Sequence, residues 1–452
     1  MLLFEKEFQV PRTGEPLIPH FRDWTDRAVG ETDVPVRFAV TATDRNAYHC
    51  EVGILTGARA VLGKRPESIF AFRKRRFENR SAFNAVMIVP TGIGAEIGGH
   101  AGDACPAARL LASVCDTLIT HPNVVNASDI NEMPQNSLYV EGSVISDLLM
   151  GVCGLVPSRA NRVILLIDKH RDHQILASTI NAVSAARATL GLDCPAVVQI
   201  DPPIVMRARY ATSGTAVGRV EGLRRVCDVL QKYEGQYDAV ALASVIDVPS
   251  EYHTEYFRKG GEMVNPWGGV EAMLTHAITK LYGLPAAHSP MFESTEIANL
   301  DVGIVDPRMS AEAISACFLH CILKGLHKSP RVSRDEVIFQ SAGVVTAEDV
   351  SCLVIPDGCV GLPTLAAMEQ GIPVIAVKEN RNRMRNRLSD LPFRPGNLIA
   401  VDSYVEAAGV LAALRAGVSL ESVKRPLKHT VVRTETAQTP DTVLENEPAK
   451  HG

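Results

Sequence analysis

Glu271 and His276 stand five residues apart in NPWGGVEAMLTHAI, on a stretch whose apolar spacing predicts a helix over Glu271–Leu281. That spacing puts both on the same half of the helix, where a carboxylate and an imidazole can act as an acid–base pair or ligate a metal. One capping carboxylate and one core histidine is the structural alternative. Asn265 precedes the helix in the same run, and shortly after it AAHSPMFES presents His288, Ser289 and Glu293 in a predicted loop. His121 and Asn123 lie in THPNVVNASD, directly after the apolar strand TLIT, where α/β sheets present ligand groups. Glu271, His276, His288 and His121 are therefore the candidate proton-transfer groups.

The segment IVPTGIGAEIGGHAGDACPAARLLA is a buried strand, a glycine-rich turn over Val89–Asp103 and a helix start. Glycines allow backbone amides close to a ligand, and a helix N-terminus favours negative charge, so Thr91, Gly92, Gly94 and His100 are candidate contacts for a phosphate or carboxylate. The spacing is neither the G-x-G-x-x-G turn of dinucleotide binding nor a Walker loop with its lysine. A turn that is tight for packing alone is the other reading.

A second unit, IPDGCVGLPTLAAMEQGIPVIAVKENRNRMRNR, repeats the strand, glycine loop, helix and returning strand. Asp357, Gly358, Cys359 and Thr364 fall at the first loop, and Lys378, Glu379 and Asn380 follow the returning strand. Both glycine loops should open on the same sheet edge and hold a small anion between them. Arg381, Arg383, Arg385 and Arg387 add positive charge that suits an anion or a solvated surface equally. Cys359 would become a nucleophile if a helix N-terminus lowered its pKa. Cys317, His320 and Cys321 have metal-compatible spacing, but their apolar surroundings favour a core helix, and no motif fixes a metal or cofactor. No G-x-S-x-G elbow marks a serine hydrolase.

The elements that must position these groups alternate between short apolar strands and helices. Strands are predicted at 86–89, 117–120, 163–168, 196–200, 239–247, 352–359, 373–377 and 397–401, with helices at Pro106–Cys115, Ala177–Leu190, Pro363–Gln370 and Tyr404–Ala416. Such alternation predicts an α/β protein with two Rossmann-like lobes and mainly parallel sheets. Residues 1–80 read as an extension: an irregular arm to residue 33, a hairpin of Val36–Thr41 and His49–Leu55, and a basic connector Arg73–Arg80. The lobes are expected at 81–250 and 251–423, followed by a disordered polar tail at 424–452.

The 452 residues carry 46% hydrophobic and 21% charged side chains and a net charge of −5. That balance fits a globular enzyme surface and argues against a nucleic-acid partner. No apolar run is long enough to span a membrane, and MLLFEKEFQVPR lacks a signal-like core, so a cytoplasmic protein with no membrane partner is expected. Ten scattered cysteines without a C-x-x-C pair indicate reduced thiols, and homo-oligomerisation is left open.

Taken together, IVPTGIGAEIGGHAGDA, THPNVVNASDI, YVEGS, ARATLGL, NPWGGVEAMLTH and AHSPM resemble a domain-of-unknown-function family, number 3326, of cyanobacteria, plastids and other bacteria. The likeness spans roughly Ala82–Gly417 and implies that these segments belong together, without implying a reaction. The GLPTLAAMEQGIPVIAVKEN run is also similar, more weakly, to two-lobed glycosyltransferases and sugar-nucleotide epimerases, with Glu369 as an unaligned candidate for a ribose contact. The residues favour an enzyme of lyase, hydrolase or isomerase class that acts on a small anionic metabolite by acid–base chemistry. A sugar-nucleotide-dependent transferase and a non-catalytic metabolite-binding protein are the alternatives.

Overall fold

Six short strands, each a run of apolar residues that can be buried on both faces, form an all-parallel sheet in the order Leu398–Val401, Val374–Val377, Val350–Pro356, Asn84–Met87, Thr117–Thr120, Ser137–Tyr139. The computed structural model describes residues 1–434 except 14, 59, 60, 62, 64, 65 and 132. Most of the tail read as disordered therefore lies outside the described residues.

The second sheet has ten strands and is mixed. Its parallel part contains Val197–Ile200, Val163–Asp168, Ala239–Asp247 and Ala286–Met291. The antiparallel part runs through Val205–Tyr210, Ala216–Glu221, Leu2–Pro11, Ala47–Leu55 and Val34–Thr43 to the short Val360–Gly361. Side-chain alternation shows how this sheet divides the interior. Val163, Leu165, Ile167, Ala239, Ala241 and Ala243 join one apolar core with the parallel sheet, whereas Ile164, Leu166, Val240 and Leu242 face a second core with Met273 and Leu274.

The α/β class is as expected, but the sheets do not coincide with two Rossmann-like lobes. Asn84–Met87 and Val350–Pro356, assigned by sequence to different lobes, are neighbouring strands of one sheet. Residues 1–33 are not an irregular arm: they hold the strand Leu2–Pro11 and the helix Leu17–Val29. Strand Leu2–Pro11 joins the hairpin to Ala216–Glu221, which builds the N-terminal segment into the large sheet. Charge concealed this strand, because Glu5 is buried and paired with Arg37 from the next strand but one.

The helix Gly268–Tyr282 occupies the junction between the sheets, packed on Ala216–Glu221, Val34–Thr43 and Ala286–Met291 and against the helix Gly142–Leu149. Its entry is close-fitting. A Cβ on Gly269 would lie 2.0 Å from the Ala216 carbonyl oxygen, and one on Gly268 would lie 2.2 Å from Thr91 Oγ1. The glycine pair of NPWGG is thus a packing requirement. Gly269→Ala is expected to destabilise the fold by roughly 1–3 kcal/mol through overpacking, and denaturant unfolding checks this; unchanged stability would show that the strand gives way freely.

Candidate active site

The two sheets and the helix Gly268–Tyr282 enclose a cavity of about 390 Å³, within the range that holds a small metabolite. Along one side of the helix, Glu271, Thr275, His276 and Lys280 line it. Their offsets of four, five and nine residues from Glu271 keep them on one broad face.

Within the cavity lining His276 meets Glu141. Glu141 precedes the helix Gly142–Leu149 and caps it, accepting hydrogen bonds from the amides of Ser143 at 2.9 Å and Val144 at 3.3 Å. Its other oxygen pairs with His276 Nδ1 and accepts a hydrogen bond from Thr275 Oγ1 at 3.1 Å. Burial pushes this carboxyl up, but His276 and the Ser143 donors outweigh it and hold Glu141 below its ordinary range, as a carboxylate. The helix N-terminus adds favourable potential. Gly142 makes room for the imidazole, since a Cβ there would lie 3.2 Å from His276 Cε1. The pair leaves His276 Nε2 without a hydrogen bond among the described residues, on a ring that lines the cavity.

His121 faces the same space. Its Nε2 accepts the Val89 amide at 3.2 Å, so the neutral ring carries its proton on Nδ1. Burial, with His276 adding to it against the opposing pull of Glu141, pushes its pKa down to about 4. His288 lies not in a loop but on the edge strand Ala286–Met291. Its Nε2 bonds Ser244 Oγ at 2.7 Å, while its buried Nδ1 has no hydrogen-bond partner among the described residues and stands 3.8 Å from Glu271 Oε2.

A second polar cluster closes one end. His100 Nδ1 bonds Tyr256 OH at 2.7 Å, and Tyr256 donates to Glu312 Oε1 at 3.2 Å. Glu312 also accepts the Ala101 amide at 2.7 Å. Burial raises the Glu312 carboxyl to about 7, leaving it partly protonated near neutrality. Asn265 Nδ2 donates to Tyr256 at 3.3 Å, and its Oδ1 takes the Trp267 amide at 3.0 Å, so Asn265 both fixes the helix entry and supports this cluster.

Of the residues singled out by sequence, Thr91, His100, His121, Asn123, Asn265, Glu271, His276, His288 and Cys359 line the cavity. Gly92, Gly94, Asp357, Gly358, Thr364, Lys378, Glu379 and Asn380 are not among its lining residues. Gly92 and Gly94 adopt positive φ and pack against Gly269 and Val264. Asp357 accepts the amides of Gly358 and Leu388, and Thr364 Oγ1 donates to the Cys359 carbonyl at 2.7 Å. Lys378 pairs with Asp402 and Glu379 is exposed. Asn380 ties the first glycine turn to the segment after the strand Val374–Val377, accepting the Ile97 amide at 2.9 Å and donating to the Ile97 carbonyl at 2.8 Å.

Part of the glycine turn is already satisfied within the protein. Its amides at Glu96, Ile97, Gly98 and Ala101 bond Arg381 O, Asn380 Oδ1, Asp103 Oδ1 and Glu312 Oε1, all protein acceptors. Asn123 likewise spends its amide on the carbonyls of Val89 and Gly98, at 2.9 and 2.8 Å. The arginine run is a brace: Arg383 donates from its side chain to Glu262 O, and the Arg385 amide bonds Thr41 O. Cys359 is fully enclosed and burial pushes its thiol far up, which removes it as a thiolate nucleophile. Among the described residues no three His, Cys, Asp or Glu side chains converge to hold a metal.

These shifts carry a pH dependence of stability. Burial raises Asp103, Asp168 and Glu312 to about 7. Their stabilisation is complete below the ordinary carboxylate range and is lost as pH rises through 7. His100 and His121, lowered to about 4 by burial, act oppositely, with stabilisation lost as pH falls below about 6.5. Above pH 6.5 the imidazoles no longer contribute, and the carboxyls that burial raises to about 7, with Glu5 among them, give a Tm that falls from pH 6.5 to pH 7.5. Scanning calorimetry across that interval reads it, and a rising Tm would contradict these protonation states.

Comparison with known proteins places this geometry in a family. An uncharacterized lipoprotein of Synechococcus sp. is 37% identical over 341 residues, covering 74% of this chain and 92% of the relative. A relative with that name overturns the cytoplasmic assignment drawn from MLLFEKEFQVPR, because an N-terminus without an apolar core does not fix a compartment. Among the described residues no helix is long and apolar enough to cross a membrane. No solved structure matches the chain, so the likeness to glycosyltransferases and epimerases gains no support. The pattern of DUF3326, described as a protein of unknown function, matches residues 84–424, and the chain belongs to that family.

Proposed function

We propose that this protein is an enzyme that performs acid–base chemistry on a small metabolite held in the cavity, in the lyase, isomerase or hydrolase class. The observation that carries the reading is the Glu141–His276 pair. A buried carboxylate fixes the tautomer of an imidazole whose Nε2 is left to face enclosed space, the arrangement of a general base. Glu312, partly protonated near neutrality at the other cluster, supplies the complementary acid. The two carboxyls are held in opposite states, Glu141 ionised to orient the base and Glu312 partly protonated to serve as the acid. The glycine turn acts here by shaping the wall, with Asn123 and Asp103 holding it, and not by binding an anion through its amides.

A metabolite extract incubated with the protein and with His276→Ala tests the reading. The wild type should consume at least one mass feature and form another, and His276→Ala should leave both unchanged. Equal consumption by the two proteins, or none by the wild type across extracts of several sources, would reject an acid–base role for this pair.

A further inference from the structure

Lys280 follows His276 by four residues on the helix Gly268–Tyr282 and lines the same cavity. The offset places its side chain over the same helix face, about one turn along. Lysines in such partly buried positions ordinarily pair with a carboxylate. The nearby candidate here is Asp147, which is bound instead to Arg334, and Arg334 is also held by Glu67 at 3.3 Å. Lys280 Nζ makes no hydrogen bond or ion pair among the described residues. The structure therefore holds a primary amine on the wall of this cavity, one helical turn from His276, with its natural counter-charge engaged elsewhere.

We propose that Lys280 condenses with the carbonyl group of a small aldehyde or ketone in this cavity, forming an imine. The proposal rests on the cavity being the active site and narrows its substrate class to carbonyl compounds. In the step, the neutral amine attacks the carbonyl carbon, a C–N bond forms and the carbonyl oxygen becomes a hydroxyl. Loss of that hydroxyl with a proton as water leaves the C=N bond, and no oxidant or reductant is required. His276 Nε2, one turn away, is placed to take and return the protons. Burial, reinforced by Arg334 against the opposing pull of Asp147, lowers the Lys280 pKa and enlarges the neutral fraction of the amine. An inert charged lysine would be expected to keep Asp147 for itself.

Trapping tests this on the intact wild-type protein. Butanal with sodium cyanoborohydride at pH 7 converts any imine to a stable secondary amine, and peptide mass spectrometry reads the modified lysines. Lys280 should be labelled about tenfold faster than the exposed Lys169 and Lys378, despite being less accessible. Labelling of Lys280 at or below the rate of those surface lysines would overturn the proposal. The acid–base reading is judged separately, by the metabolite consumption that His276→Ala abolishes, so a failed trap with retained consumption rejects the imine alone.

Discussion

Glu141→Gln is expected to lower turnover of the cavity's substrate by about 10²–10⁴-fold, with little change in KM. The carboxylate accepts from His276 Nδ1 and thereby leaves Nε2 as the basic nitrogen toward the cavity. A glutamine can present its amide N–H to Nδ1 and stabilise the opposite tautomer, with the proton on Nε2 where the base is needed. Helix capping survives in part, because the remaining amide oxygen can still accept the Ser143 and Val144 amides. The rate loss should therefore exceed what any loss of folded protein explains, and kcat measured beside Tm separates the two. A variant that keeps its rate would remove Glu141 as the group that orients His276.

Glu312→Gln should give the second large effect, of similar size, and should change the pH profile. With its carboxyl raised to about 7 by burial, Glu312 is protonated below that value and ionised above it. Acting as the acid, it makes the wild-type rate fall about tenfold per pH unit on the alkaline side of 7. The glutamine variant should be slow throughout and lack that limb. A wild-type profile flat from pH 6 to 9, or a limb that persists in the variant, would assign the acid to another group.

Much of the scaffold is legible in the sequence because its strands are buried on both faces. Val163–Asp168 and Ala239–Asp247 stand where their unbroken apolar runs predict, and the helix Gly268–Tyr282 extends the predicted Glu271–Leu281 by a few residues at its entry. The antiparallel strand Leu2–Pro11 was obscured by Glu5, Lys6 and Glu7, since its buried charge is balanced by Arg37, a partner visible only in three dimensions. His288 was misplaced to a loop because Pro290 interrupts the run. On an edge strand a proline is tolerated, and Ala286–Met291 pairs only with Ala239–Asp247.

The site was half legible. Helix spacing brought Glu271 and His276 together, and strand ends pointed to His121. Glu141 lies in YVEGS, one of the segments that carry the family likeness, but its partner is 135 residues away and no local period connects them. Glu312 belongs to no motif, and only its contacts with Tyr256 and the Ala101 amide give it a role. The glycine turn and Asp357–Thr364 present the opposite case. Their composition suits anion binding, but composition cannot reveal that the amides of the turn are already bonded to Asn380, Asp103 and Glu312.

The central claim is that chemistry occurs in this cavity with His276 as the base. A crystal structure of the slow variant Glu312→Gln, which keeps the Glu141–His276 pair, soaked with the metabolite that the wild type consumes, shows whether that base is in reach. The metabolite should lie between His276 and the side chain at position 312, with an exchangeable hydrogen-bearing atom about 2.6–3.2 Å from His276 Nε2. A metabolite bound elsewhere on the protein, or in the cavity with no reactive atom in reach of that nitrogen, would contradict it.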